Sequence, residues 1–200
     1  MRTRSIGLLS LVVVQIWLGA ISCIPAVVTP LPSAVRRIAV LPPHVRSSDE
    51  PLTPRAERDV LRPQTSVAEV LADQARAQLA AQGFAVLAPS LVQRATQGRV
   101  PTSPAMAGHL LAEAHLDAFA LYIDVRQWEP TTSGMKTDGV IVALDVLLVD
   151  PQTGTVLWQG HRPARPVPLY GVVVTGQAQV FVAETVMREL LAPVRRPPQA

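Results

Sequence analysis

The sequence predicts an α/β fold: a mixed sheet of about five strands, packed by three to four helices in a single domain. Short apolar runs alternate with segments whose apolar residues recur at helical spacing, and turn residues separate the two kinds of segment. A chain of 200 residues suffices for one domain with appendages but not for two ordinary domains. The expected element order is β-α-β-α-α-β-β-β-α, without an internal repeat.

The first elements follow from apolar runs and capping residues. The run 37–43 predicts a buried strand that ends at two consecutive prolines. The polar, proline-rich segment 44–64 is expected to be a long surface loop. Ser66 and Glu69 have capping-box spacing, so a helix begins there and ends near Gly83.

The same signals place the rest of the domain. Five elements come next: a strand at 84–89, helices at 90–97 and 105–115, and strands at 118–128 and 139–149. A polar loop is expected at 129–134. The turn pattern at 150–154 joins the preceding strand to a strand at 156–160 as an antiparallel hairpin. Prolines 163, 166 and 168 predict another loop, and an amphipathic helix spans 175–191.

The amino terminus has the pattern of a secretory signal peptide. Arg2 and Arg4 precede the uncharged apolar stretch 6–18, and the small-residue zone 19–22 follows it. We therefore predict a signal peptide at 1–22. A permanent membrane anchor is the alternative, but the apolar stretch is short for a bilayer span and no basic cluster follows it.

Cys23 is the only cysteine and comes directly after the small-residue zone. The sequence Ala20-Ile21-Ser22-Cys23 resembles the lipobox of bacterial lipoproteins, although Ala20 stands where leucine is usual. This resemblance implies cleavage before Cys23 and its acylation, for example with palmitate, and two or three acyl chains hold a membrane stably. A free cysteine in a soluble secreted protein is the alternative. One cysteine cannot form an intrachain disulfide.

The predicted domain boundaries follow from this start. Residues 23–35 are expected to be a lipid-anchored, proline-rich tether, residues 36–192 the α/β domain, and residues 193–200 a disordered tail. Ile24 occupies the position where aspartate retains enterobacterial lipoproteins in the inner membrane. By this analogy we expect the protein in the outer membrane, with its domain facing the periplasm.

The charge distribution excludes a nucleic-acid partner. Loss of the signal peptide takes two of the 18 basic residues and leaves 16 against 15 acidic ones. The only adjacent basic pairs are 36–37 and 195–196, whereas phosphate binding needs basic residues clustered on one face. Aromatic residues make up only 4% of the chain, too few for a surface that stacks bases.

No motif predicts catalysis, a cofactor or a metal. The sequence contains neither GxSxG nor GxGxxG. The four histidines, which lack the spacing of metal ligands, are His44, His109, His115 and His161. We therefore predict no catalytic residues, no cofactor-binding residues and no metal site.

Carboxylates in and beside the predicted strands are the remaining candidates for chemistry: Asp117, Asp124, Asp145 and Asp150. Asp124 alternates with Tyr122, Arg126 and Trp128, which predicts one shared strand face. An Asp124–Arg126 pair or a cross-strand Asp124–Asp145 pair would suit acid–base work. A half-solvated sheet face or an interface patch is the favoured interpretation. Trp158 is expected to anchor the core, although tryptophan is also common at binding hot spots.

Five segments together resemble a family of bacterial outer-membrane lipoproteins of the neisserial-antigen type: 38–43, 83–87, 103–105, 117–123, and 147–150 with 153–158. That family is related to the amino-terminal domain of TolB, to curli-secretion lipoproteins and to lipoprotein activators of peptidoglycan synthases. The resemblance implies an α/β domain that docks other envelope proteins rather than catalysing.

The expected function is therefore that of a non-catalytic, lipid-anchored envelope lipoprotein that binds a periplasmic or outer-membrane protein. The expected partners are the membrane, through acylated Cys23, and envelope proteins, with self-association as a further expectation. An accessory subunit of an envelope transport system, holding a small apolar ligand or lipid, is the main alternative. An envelope hydrolase is a third hypothesis.

Overall fold

The computed structural model describes residues 31–32, 35–46, 66–133, 136–169 and 175–195. These residues form one mixed sheet with four helices. The strands are β1 (Arg37–Val40), β2 (His44–Val45), β3 (Ala85–Val86), β4 (Phe119–Ser133), β5 (Lys136–Val149) and β6 (Val156–Pro168). The helices are α1 (Val67–Ala81), α2 (Pro89–Ala95), α3 (Pro104–Glu113) and α4 (Thr175–Leu191). The predicted fold class and the predicted order of elements are confirmed, with β2 as an addition.

The sheet has the order β3-β1-β4-β5-β6, and β2 pairs with β4 farther along the same side as β1. Strand β1 is parallel to β3 and to β4, and β2 is parallel to β4, whereas β4, β5 and β6 form an antiparallel meander. The turn predicted at 150–154 joins β5 to β6. Its Asp150 carbonyl accepts a hydrogen bond from the Gly154 N–H at 2.8 Å, and Gly154 has a φ of 70°.

Helix α1 begins as the sequence predicts. The Ser66 hydroxyl accepts a hydrogen bond from the Glu69 N–H at 3.1 Å, and the Glu69 carboxylate accepts one from the Ser66 N–H at 3.0 Å. This reciprocal capping box satisfies two N–H groups that a helix start leaves without partners. The helix ends before Gly83, whose φ of 86° few other residues adopt.

Helices cover both faces of the sheet and create two apolar cores. On the first face, α1 and α4 pack over residues such as Leu121, Ile123 and Val146. On the second face, α2 and α3 pack over a smaller cluster that includes Tyr122 and Leu147. Because side chains alternate along a strand, β4 and β5 contribute to both cores.

The apolar packing of the domain begins upstream of β1. Leu31 and Val35, which the sequence analysis assigned to the tether, are buried in the first-face core. The Val35 N–H donates to the Pro32 carbonyl oxygen at 3.0 Å, which turns the chain toward β1.

Strands β4, β5 and β6 continue well beyond their predicted ends. We call residues 124–133, 136–145 and 161–168 of these strands the sheet extension. The loops predicted at 129–134 and around the prolines of 163–168 are wrong, since most of these residues lie in strands. Proline is tolerated because it lies at open edges: β6 is an edge strand, and β2 ends opposite Val125, which leaves the edge of β4 open at Pro130.

Candidate functional site

Cys23, the predicted lipid-attachment residue, lies outside the described residues. Its acylation therefore stays a prediction. The other residues that the sequence analysis singled out for chemistry are all described, and several of them meet on the sheet extension.

Four titratable side chains form one line across four strands. His44 of β2 pairs in register with Asp124 of β4, Asp124 with Asp145 of β5, and Asp145 with His161 of β6. We call these four residues the polar row. The row lies on the second face, one step beyond Tyr122 and Leu147, where the apolar cluster under α3 ends. Of the interactions considered from the sequence, the cross-strand Asp124–Asp145 juxtaposition is present.

The Asp124 carboxylate is almost completely buried, with 7% of its side chain exposed, and it has two partners from β2 and its end. His44 Nδ1 lies 3.0 Å from Oδ1, and Arg46 donates from Nε to Oδ1 at 3.2 Å and from Nη2 to Oδ2 at 2.5 Å. A bidentate arginine is the strongest common partner for a carboxylate. Burial by itself would raise the pKa of Asp124, but the hydrogen bonds from Arg46 and His44 outweigh it and lower that pKa.

The Asp145 carboxylate also has a histidine and an arginine neighbour, His161 from β6 and Arg126 from β4. His161 Nδ1 lies 2.6 Å from Oδ1, and Arg126 Nε lies at an ion-pair distance of 3.2 Å from Oδ2. Because an ionised carboxylate only accepts, Nδ1 of His161 carries the proton of this hydrogen bond. Arg126 Nη2, 3.1 Å from the same nitrogen, accordingly directs its hydrogen to the Arg162 carbonyl oxygen at 3.2 Å.

The polar row is therefore electrically balanced by its neighbours. Two carboxylates directly opposite each other would repel, and Arg46 and Arg126 supply the two positive charges that offset this repulsion. Asp124 stays ionised at neutral pH because its pKa is lowered, which makes it a weak general base. This arrangement joins four strands by hydrogen bonds and ion pairs, and it favours the half-solvated or interface interpretation of the face over acid–base work.

Tyr122 separates the polar row from the apolar cluster. Its side chain is buried, and burial, followed by the nearby charge of Asp124, raises the pKa of Tyr122 to about 12. The phenol is therefore neutral at physiological pH and belongs to the packed part of the second face.

A β-bulge at Arg126 changes which side chains share a face. Val125 is opposite Leu144, but Gln127 is opposite Ala143, so Arg126 has no residue opposite it. Trp128 consequently packs against the first-face core with α1 and α4. The prediction that Trp128 shares a face with Asp124 is wrong, because simple alternation fails at a bulge.

The remaining sequence candidates lie apart from the polar row. Asp117 is exposed and lies 3.4 Å from Arg37, while Asp150 accepts the Gln152 N–H within its turn. His109 is an exposed side chain of α3, 3.4 Å from Glu113, and His115 follows that helix with a φ of 50°. Among the described residues, no three His, Cys, Asp or Glu side chains are arranged to hold a metal ion.

Arg46, the strongest partner of Asp124, was not among the residues predicted from the sequence. The available signal is the spacing of His44 and Arg46, which is two residues and places both side chains on one face of an extended segment. The proline-rich composition of segment 44–64 predicts a loop, in which such alternation has no meaning. Parallel pairing of β2 with β4 is what brings both residues to Asp124.

A separate cavity of about 520 Å³ opens at the end of β1. Its walls come from the residues after β1, from the first turns of α1 and from α2, and they include Pro42, Pro43, Ala68, Pro89 and Val92. This volume lies in the range of small-molecule sites. In the described part of the chain, no helix has both the length and the hydropathy that crossing a bilayer requires.

Comparison with known proteins gives structural matches but no sequence match. No family model matches the chain, and neither does any curated protein. PelC from Paraburkholderia phytofirmans, a dodecamer, matches with a TM-score of 0.50 and 17% identity, covering 84% of this chain and 94% of PelC. At this identity the match establishes similarity of fold.

A lipoprotein and a domain of a second protein are two further solved structures that match this chain. Lipoprotein GNA1162 from Neisseria meningitidis has 17% identity and a TM-score of 0.48, covering 77% of this chain and 97% of its own. The LpoB C-terminal domain from Salmonella enterica has 15% identity and a TM-score of 0.39, covering 67% and 83%. A neisserial lipoprotein is thus among the matches, as the sequence resemblance predicted.

Proposed function

We propose that this chain is a non-catalytic envelope lipoprotein, attached to the outer membrane through acylated Cys23, whose domain binds a protein partner in the periplasm or the outer membrane. The observation that carries the proposal is the polar row: its carboxylates are held by arginine and histidine partners and lie on the second face, beyond the apolar cluster under α3. The fold that the chain shares with PelC, and the signal-peptide and Cys23 pattern, support the same function.

The second face of the sheet extension is the proposed contact surface. Beyond the polar row it presents Gln127 and Glu129 of β4, and a hydrogen bond of 2.9 Å joins their side chains. Prolines at the open edges, Pro130 in β4 and Pro166 in β6, remove N–H groups that an added strand would need. The partner is therefore expected to dock on the face of the extension rather than along these edges.

Attachment is tested by the mass of the mature amino-terminal peptide isolated from membranes. We expect an acylated peptide that starts at Cys23 and disappears in the Cys23→Ala variant. A free amine at Ile24 or a neighbouring residue, together with protein in the soluble fraction, would contradict the lipoprotein proposal. A peptide cleaved before Cys23 but without acyl chains would contradict it equally.

Partner binding is tested by photo-cross-linking in cells. A photo-reactive amino acid at Glu129, on the proposed surface, is expected to capture a specific envelope protein or a second copy of the chain. The dodecameric state of PelC makes a second copy a reasonable partner. The same amino acid at Ala80, an exposed position on α1, is the matched control. Equal capture at both positions would exclude the second face as the contact surface.

The cavity at the end of β1 favours a second candidate function, that of a transport accessory subunit that holds a small apolar ligand. Purified protein would then carry a bound lipid detectable by native mass spectrometry. Ala68→Phe, which places a ring in the cavity, is expected to remove that lipid, whereas Ala77→Phe on the exposed side of α1 is expected to retain it. Ligand-free protein would eliminate this candidate.

A further inference from the structure

The residues before β1 are fixed at one end of the sheet, where the parallel strands begin. Leu31 is 6% exposed and Val35 is fully buried, and both belong to the first-face core. The Ala85 N–H donates to the Arg36 carbonyl oxygen at 3.0 Å, so Val35 and Arg36 lie where β1 and β3 begin, and Pro32 is joined to Val35 by a hydrogen bond. We call this end of the sheet, where the parallel strands begin, the starting edge. It also includes the end of α4, because the Leu191 carbonyl accepts a hydrogen bond from the Gln82 side chain at 2.7 Å.

The burial of Leu31 shortens the connection to the membrane. Only the segment 24–30 separates Cys23 from Leu31, and a fully extended chain of that length spans at most about 28 Å. A domain of about 165 residues is about 40 Å across. If the opposite edge faced the bilayer, Leu31 would lie farther from the lipid than this segment reaches. A connection that ran to Arg36 would span about 45 Å and would leave the orientation free.

The starting edge also carries arginines that are available to anions. Arg36 and Arg195 are exposed, and neither forms an ion pair with any described residue. Arg37 lies 3.4 Å from Asp117, whose carboxylate is 95% exposed, so this pair is weak. At the other end of β1, Arg46 and Arg76 are held at 2.5 Å by Asp124 and Asp73. Arg36 and Arg195 are therefore two positive charges on the starting edge that have no counter-charge among the described residues.

We propose that the starting edge faces the bilayer at close range, with Arg36 and Arg195 against anionic lipid headgroups. This inference rests on the proposed attachment through Cys23 and adds an orientation to it. The second face of the sheet extension then points along the membrane or away from it, where a protein partner has access.

Quenching of a fluorophore by spin-labelled lipid headgroups tests the orientation. Acylation occupies the only native cysteine, so a new cysteine is a unique labelling position. We place bimane at Ala192→Cys, on the starting edge, and in a second protein at Gln93→Cys, an exposed residue of α2 that lines the cavity beyond β1. In vesicles that contain phosphatidylglycerol, quenching is expected to be several-fold stronger at 192 than at 93.

Charge variants test the contact with headgroups. Replacing Arg36 and Arg195 together by glutamine is expected to reduce quenching at 192. Arg94→Gln is the matched control, because Arg94 is an exposed arginine of α2 without an ion pair among the described residues. An equal loss in the control would overturn the role of the two arginines.

A second attachment separates the orientation from the lipoprotein proposal. A hexahistidine tag in place of residues 1–23, bound to a nickel-chelating lipid, attaches the chain at the same point when Cys23 is not acylated. Unacylated Cys23 with strong quenching at 192 on the tagged protein overturns only the proposed attachment. Acylated Cys23 with equal quenching at 192 and 93 overturns only the proposed orientation.

Discussion

The second face of the sheet has two parts that are stabilised in different ways by the same strands. Near the start of β4 and the end of β5, Tyr122 and Leu147 lie opposite each other in the apolar cluster under α3. Two residues farther along β4, Asp124 and Asp145 form the next pair on this face, and arginine and histidine side chains replace the helix as their neighbours. A sheet face can thus be completed by packing or by paired charges, and only the second solution leaves it open to a partner.

The largest expected effect comes from the packed part. Leu111 of α3 is fully buried in the second-face cluster, and Leu111→Ala is expected to lower the free energy of unfolding by about 3 kcal/mol through lost burial and a residual cavity. Chemical denaturation measures this loss. Leu91→Ala, at a side chain that is 41% exposed, is the control and should cost less than about 1 kcal/mol. Similar costs for the two variants would show that α3 does not form a close-packed core.

A substitution at Asp124 disrupts the polar row most directly. Asp124→Asn removes the charge that binds Arg46 and His44, and we expect a loss of about 2 kcal/mol, less than for a fully buried pair because Arg46 is 59% exposed. Asp117→Asn removes a carboxylate that is 95% exposed and should change stability by less than about 0.5 kcal/mol. If both variants unfold at the same denaturant concentration, the polar row contributes nothing measurable.

The same carboxylate predicts a pH dependence with a defined sign. The pKa of Asp124 is lowered in the fold by Arg46 and His44 against the opposing effect of burial. Its contribution is therefore present above the unfolded pKa of about 3.9 and is lost as the pH falls through the folded value. The stability difference between the wild type and Asp124→Asn should thus be constant near neutral pH and shrink below about pH 4. A stability difference that grows on acidification would contradict a lowered pKa of Asp124.

Gly139 tests whether the extension is a sheet or the loop that its composition predicts. A Cβ at this position would lie 2.7 Å from the Val167 carbonyl oxygen, a backbone atom that cannot move without disturbing β6. Gly139→Ala is therefore expected to cost about 1–2 kcal/mol by overpacking, measured by thermal or chemical denaturation. Gly154 is not a suitable control position, because its positive φ would strain an alanine. The control is Ala164→Gly, at an exposed position of β6. A neutral Gly139→Ala would favour a loop.

The smallest effect on stability is expected at an edge proline. Pro166→Thr restores an N–H on the outer side of β6 and should change the free energy of unfolding by less than about 0.5 kcal/mol. Its consequence is association, because the edge of the extension then accepts another strand. Sedimentation velocity at increasing protein concentration measures this. Ala164→Thr adds the same side chain without adding a backbone N–H, and it should associate no more than the wild type. Equal association of the two variants would show that the threonine side chain, not the N–H, is the cause.

The fold was predictable where the chain obeys simple periodicity. Helices α1, α3 and α4 have apolar residues at helical spacing or a recognisable cap, and their ends were predicted closely. The sheet extension was not predictable in the same way. Its prolines and polar residues are typical of loops, and only the edge positions of β4 and β6 make them compatible with strands.

The polar row was predictable only in part for a related reason. The alternation along β4 identified Asp124 and Arg126, and Asp145 and His161 were recognised as candidates. The partnership of Asp124 with Arg46 depends on a two-residue parallel strand, and strands that short have no periodicity to detect. The position of Trp128 depends on a bulge, which the sequence does not mark with a glycine.

That bulge has a consequence for how β4 responds to the loss of a residue. Deletion of a single residue from a strand usually turns every later side chain to the opposite face. Arg126 is the exception, because it is the one residue in this part of β4 with nothing opposite it, and its removal would leave Gln127 and Trp128 on their present faces. The guanidinium that binds Asp145 is therefore carried by a residue that the core does not require. A shortened strand could keep the core and lose only the charge balance.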